Sequence, residues 1–273
     1  MSLISKNPST EEVIKEYQEL SFEEIEQKLI GADHAFQTWK KSPVTKRVNL
    51  LKKLAGILLK NKDEYAKLIT LEIGQPIKSA IEEIEKCASV AEYYAENLEE
   101  FLKPEVIKTK YKESYINFEP LGVILGIAPW NFPFWMSLRF IIPTISAGNT
   151  VVLKHASNVS GCALSIEKII NLAGFPENIF QTLLASSSKI EGIINDQRIK
   201  GVSFAGSENA GSIVASESGR EIKKSLLELG GSDAFIVLED AGLEESVESL
   251  AKNRLRNAGQ ACNSPKRIFL HQS

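Results

Sequence analysis

The 273-residue sequence predicts an α/β protein: a doubly wound parallel sheet preceded by a block of helices. Three observations carry this expectation. Apolar residues recur at the helical period through roughly the first hundred positions. From Gly122 onward, short apolar runs without polar alternation stand between amphipathic stretches, as in parallel strands buried on both faces. Residues able to carry chemistry follow several of those runs directly, where such a sheet binds its ligands.

In the first block, Ser21 followed by Glu24 has the spacing of a capping box, and Ile25, Leu29, Phe36 and Trp39 recur close to the helical period. Val48, Leu51, Leu54 and Leu58 mark a second helix, and Tyr65, Leu68 and Leu71 a third. The third ends at Gly74 with Pro76 just beyond, the usual punctuation of a helix C-terminus. Ile77, Ile81, Ile84, Ala88 and Ala91 outline a longer fourth helix. These stripes read as core packing. Tyr115-Ile116-Asn117-Phe118 then alternates like a half-buried strand, expected to pair away from the main sheet.

The strands of the main sheet are expected at Val123–Ile127, Thr150–Leu153, Ile179–Leu183, Gly201–Phe204, Ala234–Leu238 and Ile268–Leu270. Val159–Ala173 and Leu243–Leu255 read as intervening helices. Composition agrees with a packed core: 43% of residues are hydrophobic and 25% charged. The net charge of −3, without blocks of like charge, gives no electrostatic support to nucleic-acid or membrane-surface binding. Cys87, Cys162 and Cys262 are widely spaced and odd in number, unlike a disulfide framework or a zinc site; no metal is expected. The N-terminus lacks a signal-peptide pattern, and Arg139, Pro143 and Gly148 break the longest apolar stretch. A soluble cytoplasmic protein is the expectation.

After the Val123–Ile127 run comes Pro129-Trp130-Asn131-Phe132-Pro133, and after Thr150–Leu153 come Lys154 and Ser157. Gly206-Ser207-x-x-x-Gly211 is a strand-to-helix turn; it serves either as a plain helix cap or as an anion site at a helix N-terminus. Glu228-Leu229-Gly230-Gly231 is either a strand ending in a glycine turn or a carboxylate with room to swing beside a ligand. In Gly259-Gln260-Ala261-Cys262, the cysteine is either a small packed residue or a nucleophile. Cys87 and Cys162 fall on expected helices and read as core.

Taken in order, these segments resemble the N-terminal portion of the NAD(P)-dependent aldehyde dehydrogenases. The similarity runs over nearly the whole chain, from Asn7-Pro8-Ser9-Thr10 onward. Within the family it is strongest to succinate-semialdehyde dehydrogenases, through Leu153-Lys154-His155-Ala156, Leu227–Asp233 and Lys266-Arg267. His155 and Ala205 depart from a common proline and threonine of the family. The resemblance implies a Rossmann-like fold and oxidation of an aldehyde, succinate semialdehyde to succinate, through a thiohemiacetal and a thioester on Cys262. It implies Glu228 as general base and Asn131, with the Cys262 N–H, as oxyanion donor. Lys154 would hold the adenosine ribose, Ser207 with Gly206 and Gly211 the pyrophosphate turn, and Trp130 the nicotinamide side; Leu229 would also belong to the cofactor-binding set. Arg139 would pair with the substrate's distal carboxylate; its alternative is an ordinary surface arginine. Ser157 stands where NAD-preferring relatives commonly carry Glu, so NADP is expected as the preferred cofactor and NAD as the weaker one.

The resemblance also sets the expected layout. Residues 1–230 would hold the helices and the cofactor-binding domain, with a segment near 111–120 in an oligomerisation sheet. Residues 231–273 would begin a catalytic domain that is incomplete here, without the oligomerisation strand of the homo-oligomeric full-length relatives. Lys266–Leu270 is then expected to start a strand with no partner. Two other readings stay open: an inactive nucleotide-binding module that keeps Lys154 and Ser207, and a cysteine-dependent esterase or acyl transferase using Cys262 and Glu228.

Overall fold

The computed structural model describes residues 2–272. It begins with strands rather than helices. Ser2–Lys6 (β1) and Val13–Gln18 (β2) pair antiparallel, correcting the all-helical expectation for this stretch. Leu3, Ser5 and Tyr17 face inward, and the Ser5 hydroxyl donates to Glu72 Oε1 at 2.7 Å. So short a two-residue alternation leaves little signal beside long helices.

Helices then follow as the apolar stripes predict: Phe22–Trp39 (α1), Val44–Lys60 (α2), Lys62–Ile73 (α3) and Ile77–Phe101 (α4). The capping box of α1 is formed: Glu24 N–H donates to Ser21 Oγ at 3.1 Å, and Ser21 N–H to Glu24 Oε2 at 2.7 Å. Gly74 closes α3 in the left-handed region, at φ 72°. Glu105–Val106 (β3) and Tyr115–Ile116 (β4) pair antiparallel apart from the main sheet, as expected for the alternating segment though shorter.

The main sheet is built from Val123–Ala128 (β5), Pro133–Ser146 (α5), Thr150–His155 (β6), Ser160–Leu172 (α6), Phe180–Thr182 (β7), Ile190–Asn195 (α7), Ile199–Ala205 (β8), Glu208–Arg220 (α8) and Lys224–Glu228 (β9). Its order is β7-β6-β5-β8-β9, every pair parallel. Helices cover both faces. Trp39, Leu51, Leu54, Leu58, Ile69 and Ile84 pack with Phe134, Leu138, Val151 and Leu153 on one side. Ile25, Leu29, Ile190 and Ile193 pack with Leu125, Val152 and Val202 on the other. Each such buried aliphatic side chain contributes about 1.5–3 kcal/mol, so the apolar runs are held at the centre of the layers. Cys87 and Cys162 are fully buried within this core, and burial pushes both thiols well above their usual range.

Asp233–Val237 (β10), Leu243–Leu255 (α9) and Pro265–Leu270 (β11) complete the described chain. β10 and β11 pair parallel in a separate two-stranded sheet, with Phe235 opposite Ile268 and Val237 opposite Leu270. The expectation of a partnerless strand at Lys266–Leu270 is therefore corrected: an apolar segment gains backbone hydrogen bonds from the nearest parallel neighbour. Apolar side chains of the pair stay exposed, including Ile236 and Leu270. Among the described residues, no helix is long and apolar enough to cross a membrane.

The order of the sheet sets the site. The chain runs from β5 outward to β6 and β7, then returns to β8 on the other side of β5. A crevice opens outside the carboxyl ends of β5 and β8, where the order reverses.

Candidate active site

Two adjoining hollows occupy that crevice. The first, of about 420 Å³, is lined by Trp130, Asn131, Glu228, Leu229, Ala261 and Cys262, among others. The second, of about 630 Å³, is lined by Lys154 at the end of β6, by Ser187, Ile190 and Glu191, and by Ile213 and Val214 of α8. Pro129, Trp130, Gly206 and Ser207 line both, so the two form one continuous trough.

Three separate segments deliver the chemistry to the first hollow. Asn131 follows β5, Glu228 ends β9, and exposed Cys262 follows the turn after α9. The loops of Asn131 and Cys262 are stitched together. Asn131 Nδ2 donates to the Gln260 carbonyl at 2.6 Å, and Asn257 Nδ2 donates to the Asn131 carbonyl at 2.6 Å. An amide nitrogen carries two hydrogens, so Asn131 retains a second donor. Its side-chain oxygen is buried and has no hydrogen-bond partner among the described residues. Asn257, Ala258 and Gly259 are all left-handed, at φ 50°, 56° and 79°. This run turns the chain sharply ahead of Cys262, and an alanine there costs about 1–2 kcal/mol. Lys266 joins the cysteine loop to the glycine turn after Glu228, donating from Nζ to the carbonyls of Gly231 (2.7 Å) and Cys262 (3.0 Å).

Behind Asn131, two buried side chains hold the start of α5. Glu83 Oε1 accepts from the N–H groups of Phe134 and Trp135, both at 2.9 Å. Burial raises its carboxyl to about 7, against the pull of those donors. His155 accepts from Ala156 N–H at Nδ1 (2.8 Å), and its Nε2 lies 3.0 Å from the Pro133 carbonyl. With Nδ1 accepting, Nε2 carries the proton and donates; burial lowers the ring to about 4, so it is neutral.

The second hollow has the donor set for a phosphate-bearing ligand. Ser207 caps α8, its Oγ accepting from Ala210 N–H at 3.4 Å, and the first N–H groups of that helix face an anion's place. Lys154 is half-buried, its ammonium pushed down by burial alone. Gly211 lines neither hollow. A Cβ there would meet Leu229 Cδ2 at 2.5 Å, so its glycine serves the close packing of α8 on the end of β9. Ser157 is exposed in the turn after β6 and also lines neither hollow.

Arg139 sits apart from the cysteine. It lines a neighbouring cleft of about 450 Å³ between α5 and the β8–β9 edge, and its guanidinium is ion-paired with Glu228. Glu228 faces both that cleft and the cysteine hollow. Sequence reading had singled out neither Asn257, Lys266 nor Glu83 as site residues. Their partners lie across the fold, 126, 35 and 51 positions away for Asn131, Gly231 and Phe134.

Residues 2–273 match the aldehyde dehydrogenase family along essentially their whole length. The chain belongs to the aldehyde dehydrogenase family. It is 44% identical over 273 residues to a Synechocystis protein named probable succinate-semialdehyde dehydrogenase [NADP(+)], covering 100% of this chain and 60% of that one. It is 41% identical over 275 residues to the succinate-semialdehyde dehydrogenase [NADP(+)] of Mycobacterium avium, covering 99% and 58%. The crystal structure of succinic semialdehyde dehydrogenase from Streptococcus pyogenes, in complex with NADP+ as the cofactor, superposes with a TM-score of 0.93 at 35% identity, covering 96% of this chain and 58% of that one. The chain thus spans about 60% of the length of the curated relatives it matches. The trough is part of an aldehyde dehydrogenase fold, with Lys154, Ser207 and Trp130 along its length.

Proposed function

We propose that the protein's chemistry is the oxidation of an aldehyde to a carboxylic acid, with succinate semialdehyde as substrate and NADP+ as the preferred oxidant. The observation that carries this reading is the meeting of Asn131, Glu228 and Cys262 in one hollow continuous with the Lys154–Ser207 groove. A thiolate, a carboxylate and an amide donor form the set needed to attack a carbonyl, steady its oxyanion and hydrolyse the product. The similarity to NADP(+)-named succinate-semialdehyde dehydrogenases supports the choice of substrate and cofactor.

In this reading the Cys262 thiolate adds to the aldehyde carbon, and the free N–H of Asn131 with the Cys262 N–H holds the oxyanion. NADP+, when bound, would supply the hydride acceptor needed to take the thiohemiacetal on Cys262 to an acyl thioester. Glu228 takes a proton from water, whose oxygen attacks the acyl carbon and releases the acid and the thiolate. The Asn131–Gln260 bond keeps the donor loop against the nucleophile loop throughout. Lys154 would hold the adenosine ribose, the N-terminus of α8 at Ser207 would hold the pyrophosphate, and exposed Ser157 would leave room for a 2′-phosphate.

The test is NADPH formation by the purified chain, read by absorbance, with succinate semialdehyde supplied. Turnover that requires Cys262 supports the proposal. Thermal stabilisation by NADP+ without turnover would leave only nucleotide binding.

A further inference from the structure

Lys266 follows Cys262 closely in the chain, at the start of β11. The parallel register of β10 with β11 passes from Asp233 opposite Pro265 to Ala234 opposite Arg267, so Lys266 is an extra residue, a bulge. A bulge interrupts the alternation of a strand and re-aims its side chains. Here two consecutive side chains reach the same turn. Lys266 Nζ donates to the Gly231 carbonyl at 2.7 Å, and Arg267 Nε to the Ser232 carbonyl at 2.9 Å. Lys266 also donates to the Cys262 carbonyl at 3.0 Å, and it lines the cysteine hollow.

The two loops that Lys266 joins already touch. A Cβ built on Gly231 would come within 3.4 Å of the Cys262 carbonyl oxygen. Ser264 closes the nucleophile loop from its other side, its N–H donating to the Ala261 carbonyl at 3.1 Å and its hydroxyl to the Asn253 carbonyl of α9 at 3.2 Å. Between Glu228 and Gly231 lies Gly230, which has open space around it and the backbone freedom of a glycine. Glu228 thus ends β9 on one side of a flexible turn, and Lys266 clamps the other side to the nucleophile loop. An ammonium carries three hydrogens, enough for both carbonyls at once, and its charge strengthens each bond.

We infer that Lys266 is a positioning residue for the hydrolytic step, holding the turn that follows Glu228 in a fixed place beside the acyl group on Cys262. The inference rests on the roles of Cys262 and Glu228 proposed above and deepens them. A general base must lie within hydrogen-bond reach of the water it activates, and that water must face the acyl carbon. A displaced turn therefore costs rate in hydrolysis. Acylation of Cys262 does not use Glu228 in this reading and keeps its rate.

The experiment acetylates the full chain with p-nitrophenyl acetate. The Cys262 thiolate takes the acetyl group and p-nitrophenolate leaves, so its absorbance measures acylation. Excess ester is then removed, and intact-mass spectrometry follows the loss of acetyl as water converts the thioester to acetate and the free thiol. Lys266→Met should slow that loss about tenfold with acylation unchanged, and Lys266→Arg, which keeps the charge and several donors, should restore it. In a Glu228→Gln chain, itself slow to lose the acetyl group, Lys266→Met should add no further delay, because the lysine acts through the base. Loss of acetyl at the parent rate in Lys266→Met, equal falls in acylation and hydrolysis, or delays that multiply in the double variant overturn the role of Lys266 and leave the proposed function standing. Acetylation that persists in Cys262→Ala, or hydrolysis indifferent to Glu228→Gln, removes the proposed roles of those residues, and this inference with them.

Discussion

The guanidinium of Arg139, on α5, is ion-paired with the carboxylate of Glu228, the last residue of β9. The pair couples two tasks in the proposed reaction, recognition of the substrate's carboxylate and activation of water. Arg139→Ala should raise KM for succinate semialdehyde about tenfold or more, since a charge-assisted hydrogen bond is worth roughly 1.5–3 kcal/mol. KM for butanal, which has no carboxylate, should change far less. Steady-state kinetics with both aldehydes checks this, and equal losses would remove Arg139 from substrate recognition.

Asn131→Ala removes both the donor facing the nucleophile and the bond to the Gln260 carbonyl. A fall in kcat of about 10²–10³-fold is expected, as for other single oxyanion donors. NADP+ affinity should hold, because Asn131 lines the cysteine hollow and not the Lys154 groove. A parallel loss of NADP+ binding, measured by fluorescence titration, would point to collapse of the loop instead.

Ser157→Glu places a carboxylate three residues after Lys154, in the exposed turn that follows β6. Repulsion of a 2′-phosphate should weaken NADP+ by about tenfold or more while NAD+ binds as well or better. Competing KM values for the two cofactors give the answer; an unchanged ratio rejects Ser157 as the discriminating position.

Glu83 and His155 grip the same turn and respond to pH with opposite signs. Folding raises Glu83 from 4.5 to about 7, so the folded chain keeps a proton that the unfolded chain has lost, and this contribution to stability falls as pH rises through that window. Folding lowers His155 from 6.5 to about 4, so its contribution falls as pH drops through that window. Between about pH 4.5 and pH 6.5 the slopes oppose each other. Glu83→Gln keeps an acceptor for the Phe134 and Trp135 N–H groups but removes the titration, so its stability should climb more steeply than the parent's from about pH 5 to about pH 6.5. Urea midpoints across that range decide it, and identical slopes would show that Glu83 does not titrate there.

Strands β10 and β11, expected in the parallel sheet, form a pair of their own, but the sequence alone was enough for the α1–α4 stripes, the capping box at Ser21, the glycine stop at Gly74 and strands β5 to β8. Each of these is written in local periodicity or turn chemistry, which neighbouring residues specify between them. It also singled out Asn131, Glu228 and Cys262, which line one hollow of the fold, and Lys154 and Ser207, which line the adjoining one. Tertiary structure decided the rest. The β1–β2 hairpin depends on packing against residues such as Glu72, far along the chain. The partner of β11 is β10, and no local pattern in residues 265–270 names it. The pairing of Arg139 with Glu228 and the bonds from Asn257, Lys266 and Glu83 likewise join residues brought together only when the layers pack. A side chain's type and spacing declare what it can do. Which charge or carbonyl it meets is fixed by burial and by the need of every buried polar group for a partner.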